Sequence, residues 1–218
     1  AGNAYAGSDT IVYIIDNTAP TVSGGVTISG ASGVQNNLLN AGDVVSVTAT
    51  FDENVSVTGT PQLTLVVGSD NRTATYASGS GGTTLVFQYT IQAGETDSDG
   101  ISIGANVLAL NSGTIKDAAG NDATITHSSV AANSSYKVDT TAPTVSSVAI
   151  TSATGIQNNL LNAGDVISVT ATFSENVPVT GTPQLTLVVG GTNRTATYTS
   201  GSGSTPLVFQ YTIQAGET

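Results

Sequence analysis

The chain contains no cysteine, methionine or tryptophan, and His127 is its single histidine. Without cysteine there are no disulfide bonds and no thiolate nucleophiles or metal ligands. A serine–histidine pair would need His127, which follows the alternating segment 123–126 and is predicted to face solvent on a strand. Paired carboxylates of the glycosidase kind stay open on the sequence alone. On balance the residues favour a protein that is not an enzyme.

Basic side chains are also scarce. Only 4 Lys and Arg residues stand against 15 Asp and Glu residues, and the formal net charge is −11 at pH 7. Because binding to phosphate backbones needs clustered Lys and Arg, we expect no nucleic-acid partner. Two interpretations of the acidic surplus stay open: it keeps the protein soluble, or it binds cations.

Long hydrophobic runs are missing as well. No segment approaches the roughly 18–20 consecutive apolar residues of a membrane-spanning helix, so we expect no membrane insertion. Residues 1–3 include neither an initiator methionine nor the beginning of a signal peptide. We expect the sequence to be a section of a longer polypeptide.

What the sequence does contain is a long internal repeat. Residues 35–67 recur at 157–189, 122 positions later, and only three of the 33 aligned positions differ. The differences are Val45/Ile167, Asp52/Ser174 and Ser56/Pro178. A period this long describes a whole domain rather than one coil of a solenoid. Tandem copies this similar favour a stalk or spacer, whose length depends on copy number, over an enzyme.

Two proline-containing segments, 16–20 and 139–143, divide the chain. They read Asp-Asn-Thr-Ala-Pro and Asp-Thr-Thr-Ala-Pro, and each follows a strand-like run. Proline fixes φ and biases the preceding residue towards extended backbone, so both segments are predicted to be stiff linkers. The predicted domains are the last strand and linker of a preceding repeat at 1–19, a complete repeat at 20–142, and the N-terminal part of a second repeat at 143–218.

Inside the repeat, apolar and polar residues alternate with a period of two, and no segment has helical periodicity. Gly, Ser, Asn and Asp clusters separate seven predicted strands: A near 22–29, B 44–51, C 61–67, D 72–77, E 84–92, F within 101–116 and G within 123–138. This pattern predicts an all-β fold of tandem immunoglobulin-like β-sandwich domains joined by short extended linkers, with a closed barrel as the alternative. The strand phase places five side chains in the core: Val47, Phe51, Leu65, Phe87 and Tyr89.

Acidic residues are predicted to gather at the two ends of the complete repeat. The loop between strands B and C holds Asp52 and Glu53, the loop between F and G holds Asp117, and the incoming linker holds Asp16. The opposite end holds Asp97 and Asp99 after strand E and Asp139 in the outgoing linker, where Glu175 of the second repeat should approach.

Crowded carboxylates repel one another unless a cation binds them. Ca²⁺ accepts about 6–8 oxygen ligands, whereas Zn²⁺ prefers the Cys and His that this chain lacks. The Asp-Ser-Asp-Gly run at 97–100 has the alternating acids of a calcium loop without the full EF-hand pattern. The spacing therefore favours Ca²⁺ at the domain ends, although a single Asp commonly serves only to form a turn.

Several short motifs together resemble a known family. They are Phe-Ser-Glu-Asn-Val at 173–177, Gly-Thr-Pro-Gln-Leu at 59–63, Lys-Asp-Ala-Ala-Gly-Asn at 116–121 and the two Asp-x-Thr-Ala-Pro linkers. This combination resembles the bacterial immunoglobulin-like tandem repeats of giant type I-secreted surface adhesins, of the RTX or biofilm-associated kind. The resemblance covers essentially the whole chain. The glycine-rich RTX nonapeptide is absent, so the secretion end of such a protein would lie elsewhere.

The resemblance implies a structural extender, or stalk, of a bacterial cell-surface adhesin, located outside the cell and supporting cell adhesion or biofilm formation. It implies Ca²⁺ at stiffened interdomain joints, with neighbouring repeats of the same chain as partners. Carried onto this sequence, the implied ligands are Asp16, Glu53, Asp117, Asp139 and Glu175. Because the second copy has Ser174 in place of Asp52, we do not expect Asp52 to be essential.

Two alternative functions stay open. The Thr-x-Thr pairs at 48/50, 73/75 and 195/197 would suit a repeat that itself binds a glycan or an ice surface, although threonine is also a good strand former. Aromatic residues make up only 5% of the chain, which disfavours a sugar-binding face. An accessory repeat of an extracellular enzyme is neither supported nor opposed by any residue.

The second repeat lacks counterparts of strands F and G, because Glu217 and Thr218 correspond to Glu95 and Thr96. A sheet left uncovered in this way is not expected to form a stable monomeric domain. We expect the missing strands to follow Thr218 in a continuous array. The other arrangement is head-to-tail strand addition between chains, in which residues 1–16 of one chain supply a G-like strand to the next.

Overall fold

The computed structural model describes residues 14–218, so most of the strand predicted before the first linker, and of the proposed donor segment 1–16, lies outside the described residues. Within 14–218 the chain is all-β, as predicted, and contains no helix. The search for an apolar helix long enough to cross a membrane finds none in this part of the chain. Two compact units divide between Thr141 and Ala142, one residue before the predicted boundary.

Residues 14–141 of the first unit contain ten strands. They are β1 (Gly25–Ala31), β2 (Leu38–Leu39), β3 (Val44–Thr58), β4 (Gln62–Val67), β5 (Asp70–Ser78), β6 (Gly82–Thr90), β7 (Thr96–Asp97), β8 (Leu108–Ala109), β9 (Thr114–Lys116) and β10 (Lys137–Asp139). The main sheet has the order β1-β3-β6-β5-β4-β8, and β9 pairs with β3 beyond this path. A small sheet has the order β2-β10-β7.

Predicted strands A, B, C, D and E correspond to β1, β3, β4, β5 and β6. All five share one sheet because β4 pairs with β5 through a tight hairpin, in the register Gln62↔Thr75 to Val67↔Asp70. In an immunoglobulin sandwich strand C belongs to the opposite sheet from strand D. The curled sheets are consistent with a β-sandwich, but the strand order differs from the predicted immunoglobulin arrangement.

Predicted strand F, within 101–116, is divided between β8 and β9, and predicted strand G, within 123–138, is represented only by Lys137 and Val138 of β10. Residues 98–136 contribute only β8, β9 and isolated bridges to the sheets. Three non-glycine residues in this segment, Asn106, Asn111 and Ser112, have positive φ angles of 56°, 47° and 62°. A residue with a left-handed backbone conformation interrupts an extended chain. The segment therefore forms short strands and isolated bridges instead of long strands.

The core of the first unit is a single cluster between the main sheet and residues 101–138. Alternate residues of β3, β4 and β6 point into it, and Val47, Leu65 and Phe87 have no solvent exposure. Phe51 is 2% exposed, whereas Tyr89 is only half-buried at the edge of the cluster. The predicted strand phase is therefore confirmed.

The second unit contains β11 (Val145–Ala153), β12 (Val166–Val177), β13 (Gln184–Val189), β14 (Thr192–Ser200) and β15 (Ser204–Thr212). Their order, β11-β12-β15-β14-β13, repeats that of β1, β3, β6, β5 and β4. Tyr198 packs edge-on against Phe209 with ring centroids 6.0 Å apart, and Tyr76 packs in the same way against Phe87 at 6.1 Å.

The repeated Gln-Asn-Asn-Leu motif forms the same turn in both units. In the first unit Gln35 and Leu38 exchange two backbone hydrogen bonds of 2.9 Å. Between them Asn36 and Asn37 have φ angles of 52° and 64°. A two-residue hairpin loop with both central φ angles positive favours asparagine and glycine, which explains the asparagine pair.

Candidate metal centre

Asp52 and Glu53 lie within a strand rather than in a loop between strands B and C, which corrects the sequence-based placement. Strand β3 continues to Thr58 because its partner changes along its length. Up to Thr50 it pairs with β6, an irregularity follows before Val55, and Ser56 to Thr58 pair with β9. The two acids occupy the irregular part, where the strand passes from one partner to the next.

Three carboxylates from separate segments converge beside this irregularity. Asp16 comes from the incoming linker, Glu53 from β3, and Asp117 from the turn after β9. One carboxylate oxygen from each residue lies within 4.8 Å of those from the other two. Asp16 is exposed, Glu53 is half-buried and Asp117 is buried, so the group is open to solvent on the linker side. Three of the seven predicted metal-binding residues are thus brought together.

The turn after β9 is built around Asp117. Its Oδ1 accepts the backbone N–H groups of Gly120 and Asn121 at 2.7 and 2.8 Å, and its Oδ2 accepts the Asn121 amide at 2.7 Å. The same Asn121 Nδ2 donates to the carbonyl oxygens of Asp16 and Thr18 at 3.2 and 3.1 Å. Asn121 therefore ties the linker to the turn, and sequence reasoning did not assign it this role.

Electrostatic conditions differ between two members of this group. Partial burial, and then the charges of Asp117, Asp16 and Asp52, raise the pKa of Glu53. Burial also acts to raise the pKa of Asp117, but hydrogen bonds from Asn121, Gly120 and Ala119 together hold that pKa below its ordinary value. Hydrogen bonds thus hold Asp117 as a carboxylate. The neighbouring negative charges instead disfavour the ionised form of Glu53.

The basic residue that precedes Asp117 in sequence forms an ion pair with a different acid. Lys116 Nζ lies 2.9 Å from Asp122 Oδ1 in an exposed ion pair. This pairing leaves the three carboxylates without a basic partner among the ion pairs of residues 14–218. All potential ligand atoms are oxygens, as a hard cation of the calcium type prefers.

Asp52 lies next to this group but has a different partner. It accepts the backbone N–H of Thr21 at 2.8 Å and the hydroxyl of the same residue at 2.6 Å. These hydrogen bonds, the hydroxyl's first, lower the pKa of Asp52. In the second unit the Ser174 hydroxyl accepts the backbone N–H of Thr144 at 3.0 Å. Both side chains accept the backbone N–H of the residue that follows the linker proline. This shared role explains why serine can stand in the second copy where the first has aspartate.

We predict that Asp52→Ser lowers the melting temperature of the first unit less than Asp52→Ala does. Serine at this position keeps an acceptor for the backbone N–H of Thr21, as Ser174 does for Thr144. Alanine leaves that donor without its side-chain partner. Scanning calorimetry of both variants is the measurement, and equal losses would contradict the assigned role.

Predicted ligands at the opposite end are arranged differently. Asp97, Asp99 and Asp139 line one surface pocket of about 700 Å³, together with Lys137. Asp97 is buried, and both of its carboxylate oxygens accept backbone N–H groups, from Gly68 at 2.8 Å and from Gly100 at 2.7 Å. Asp97 therefore has a structural role in shaping the loop.

The remaining two predicted ligands occupy repeated positions. Asp139 Oδ1 accepts the N–H of Thr141 at 3.0 Å, as Asp16 Oδ1 accepts that of Thr18 at 3.0 Å. Glu175 lies half-buried in β12, at the position that Glu53 occupies in β3. Asp139 and Glu175 are thus the counterparts of two members of the acidic group, and the 218 residues contain no counterpart of Asp117.

A buried glutamate that the sequence did not single out stabilises each unit. Glu95 is 5% exposed and forms an ion pair with Arg72. Its carboxylate accepts the Tyr89 hydroxyl at 2.5 Å and the backbone N–H of Gln92 at 2.9 Å. Burial, followed by this hydrogen bond, raises the pKa of Tyr89. The signal was available, because Arg, Tyr and Glu recur with the 122-residue offset.

Its counterpart is formed by Arg194, Tyr211 and Glu217 in the second unit. The Tyr211 hydroxyl donates to Glu217 at 2.5 Å. This bond is the main cause that lowers the pKa of Glu217. Both copies of this arrangement use their glutamate for folding, so we do not include Glu95 or Glu217 among the candidate metal ligands.

We predict that Glu95→Gln lowers the melting temperature of the first unit clearly, because Arg72 loses its buried ion-pair partner and keeps only the exposed carboxylate of Asp70, 3.0 Å away. Asp99→Asn, at an exposed position only four residues away, serves as the matched control and should have little effect. Thermal unfolding followed by circular dichroism measures both. Equal melting temperatures for the two variants would contradict the buried role of Glu95.

His127 is buried, so the prediction that it faces solvent was wrong. It is 7% exposed, and its Nε2 accepts the backbone N–H of Val107 at 3.0 Å. The proton therefore lies on Nδ1, which donates to the carbonyl of Ser128 at 2.9 Å. Both ring nitrogens are thus used to hold the irregular segment against the core.

No family model matches the chain, and no curated protein or solved structure matches it significantly. The acidic group, the repeat and the fold are therefore the features from which function is inferred.

Proposed function

We propose that this chain is a structural extender of a bacterial cell-surface adhesin, in which Ca²⁺ stiffens the joints between tandem repeats. The observation that supports it best is the acidic group itself. Asp16 belongs to a linker, whereas Glu53 and Asp117 belong to the body of the repeat, and one carboxylate oxygen from each lies within 4.8 Å of those from the other two. An ion bound by all three would connect the linker directly to the domain.

The donor set suits calcium better than other common metals. Ca²⁺ binds carboxylate and carbonyl oxygens in flexible geometries, whereas Mg²⁺ requires near-octahedral coordination and retains water. Zn²⁺ and softer metals prefer Cys and His, and neither accompanies these carboxylates. In this proposal Asp16, Glu53 and Asp117 hold the ion. Burial and then the charges of Asp117 and Asp16 raise the pKa of Glu53, and the ion would neutralise those charges.

The mechanical consequence follows from where the ligands lie. Without a cation, carboxylates on the linker and on the domain repel each other, and this repulsion favours bent or detached linker conformations. Coordination replaces repulsion with a shared bond network that restricts the linker. Asn121 Nδ2 donates to the carbonyl oxygens of Asp16 and Thr18. These hydrogen bonds and the ion would then restrain the same linker together.

Repetition is the reason to propose a stalk rather than a single calcium-binding domain. Asp139 and Glu175 repeat the positions of Asp16 and Glu53, and 30 of the 33 residues compared between 35–67 and 157–189 are identical. A function that scales with copy number explains such tandem copies. With this role we propose an extracellular location at the bacterial surface, neighbouring repeats as the partners, and no enzymatic activity.

The alternative of a ligand-binding threonine face gains no support. Thr27 and Thr48 hydroxyls hydrogen-bond each other at 2.9 Å, and the Gln88 amide donates to the Ser46 hydroxyl at 3.2 Å. Polar groups on this face are thus partly used across the strands. This arrangement fits stabilisation of a sheet surface.

Small-angle scattering of a tandem array tests the proposed function. Four joined copies of residues 16–138 place a counterpart of each acidic ligand at every internal joint. With Ca²⁺ we expect a longer maximum dimension than in EDTA. An array carrying Glu53→Gln in every copy is the control and should scatter alike in both buffers. Calcium-independent scattering of the unmodified array would contradict the stalk mechanism.

A further inference from the structure

The second unit exposes an apolar face that the first unit covers. Val26 of β1 is 5% exposed, but Val148, its counterpart in β11, is 54% exposed. Ile28 packs against the core, whereas its counterpart Ile150 is 69% exposed. The register of the strands is the same, since Val26 pairs with Ala49 and Val148 with Ala171. The difference therefore lies in what covers the sheet.

Residues 97–139 cover this face in the first unit. Their buried apolar side chains are Ile101, Ile103, Leu108, Ile115 and Val138, all members of the core cluster. In the second unit the same sheet encloses only two small clusters of buried residues. A sheet face with this much exposed β-branched side chain normally belongs to an interface.

The two units also differ at one edge of the sheet, formed by β4 in the first unit and by β13 in the second. In the first unit, β4 pairs on its outer side with residues 102–109: the N–H of Val66 donates to the Ser102 carbonyl at 2.8 Å, and Leu63 pairs with Leu108. In the second unit β13 is the last strand of its sheet. An edge strand offers a row of N–H and C=O groups for an added strand.

We propose that the face formed by β11, β12 and the outer edge of β13 is a docking surface for an extended segment with the sequence pattern of residues 97–139. The reason for this occupant is the repeat. Residues 184–189 are identical to 62–67, so the edge that meets Ser102 and Leu108 in the first unit is duplicated. The proposal is independent of calcium and of the stalk function.

One site should depart from the pattern seen in the first unit. Ser56 pairs with Lys116 where β3 meets β9, but its counterpart is Pro178, which has no N–H, and β12 ends at Val177. The docked segment therefore makes its main contacts on β13 and on the apolar face. Contacts of the β9 type should be weaker.

A labelled synthetic peptide with the sequence of residues 97–139, titrated with the full chain, tests the proposal. We expect saturable binding by fluorescence anisotropy, and slower amide exchange at Thr186 and Val188, the counterparts of Thr64 and Val66. A peptide with Ile103 and Leu108 both replaced by Asp is the control and should bind at least tenfold more weakly.

Two chain variants locate the binding. Val188→Pro removes the N–H that corresponds to the Val66 donor, at an edge position where proline is tolerated. Val148→Asp places a charge on the exposed apolar face without opening a core, because Val148 is already 54% exposed. Both should weaken binding at least tenfold.

Three outcomes would overturn the proposal. They are the absence of saturable binding, binding that neither variant weakens, and self-association of the chain in sedimentation that slows exchange at Thr186 and Val188 without peptide. The last result would assign the face to a second copy of the chain. Exchange within the β13–β14 hairpin checks that Val188→Pro keeps its fold.

Discussion

Replacing Phe87 with alanine is expected to lower the free energy of unfolding of the first unit by about 3–5 kcal/mol. The ring has no solvent exposure and packs edge-on against Tyr76, with centroids 6.1 Å apart. Its removal loses the transfer free energy of a large apolar side chain and leaves a cavity that the surrounding sheet cannot close. Urea unfolding followed by NMR signals of the first unit is the measurement.

Thr90→Ala provides the control on the same strand. Thr90 is exposed, so its truncation should change the free energy of unfolding by less than about 0.5 kcal/mol. A loss as small as this for Phe87→Ala would mean that the strand phase of β6 is reversed and that the core described above is wrong.

Glu53→Gln is expected to remove most of the stabilisation that calcium gives the first unit. In the unmodified chain Ca²⁺ binds the folded state, so the melting temperature of the first unit should rise with calcium concentration. At about 100 times the dissociation constant, the added stability is about 2.7 kcal/mol. In Glu53→Gln this rise should be largely lost, because the variant removes one of the three carboxylates. Calorimetric scans with Ca²⁺ and with EDTA measure both chains.

Without calcium the same variant should be more stable than the unmodified chain at pH 7. The folded state raises the pKa of Glu53 above the ordinary 4.5, so it holds this proton more tightly than the unfolded state does. Stability therefore falls as the pH rises through the interval above 4.5, and the loss persists at neutral pH. Glu53→Gln removes this dependence. A less stable variant in EDTA would contradict the electrostatic account of the group.

Much of the fold could be predicted because its strands follow a simple rule. In β4 and in residues 44–51 of β3 every second side chain is buried, as are Leu85 and Phe87 of β6. Residues 98–136 do not follow it, since their course depends on left-handed residues such as Asn106 and on contacts with distant strands. His127 was misplaced for the same reason: its Nε2 accepts the backbone N–H of Val107, 20 residues away in sequence.

The acidic group could be predicted only in part. The linker motif and the acid-rich segments pointed to Asp16, Glu53 and Asp117, which the structure places together. The repeat set Asp52 apart, because Ser174 replaces it in the second copy. It could not separate Glu53 from Asp97, whose carboxylate accepts the backbone N–H groups of Gly68 and Gly100. Whether a carboxylate already accepts backbone hydrogen bonds depends on tertiary contacts, which a local sequence pattern does not show.

Isothermal titration of Ca²⁺ into the full chain at neutral pH tests the central claim most directly. We predict heat from a calcium site that disappears in Glu53→Gln and is retained in Asp99→Asn, which keeps the group of Asp16, Glu53 and Asp117 complete. No heat of binding in the unmodified chain, or the same binding in Glu53→Gln, would contradict a calcium centre at this linker.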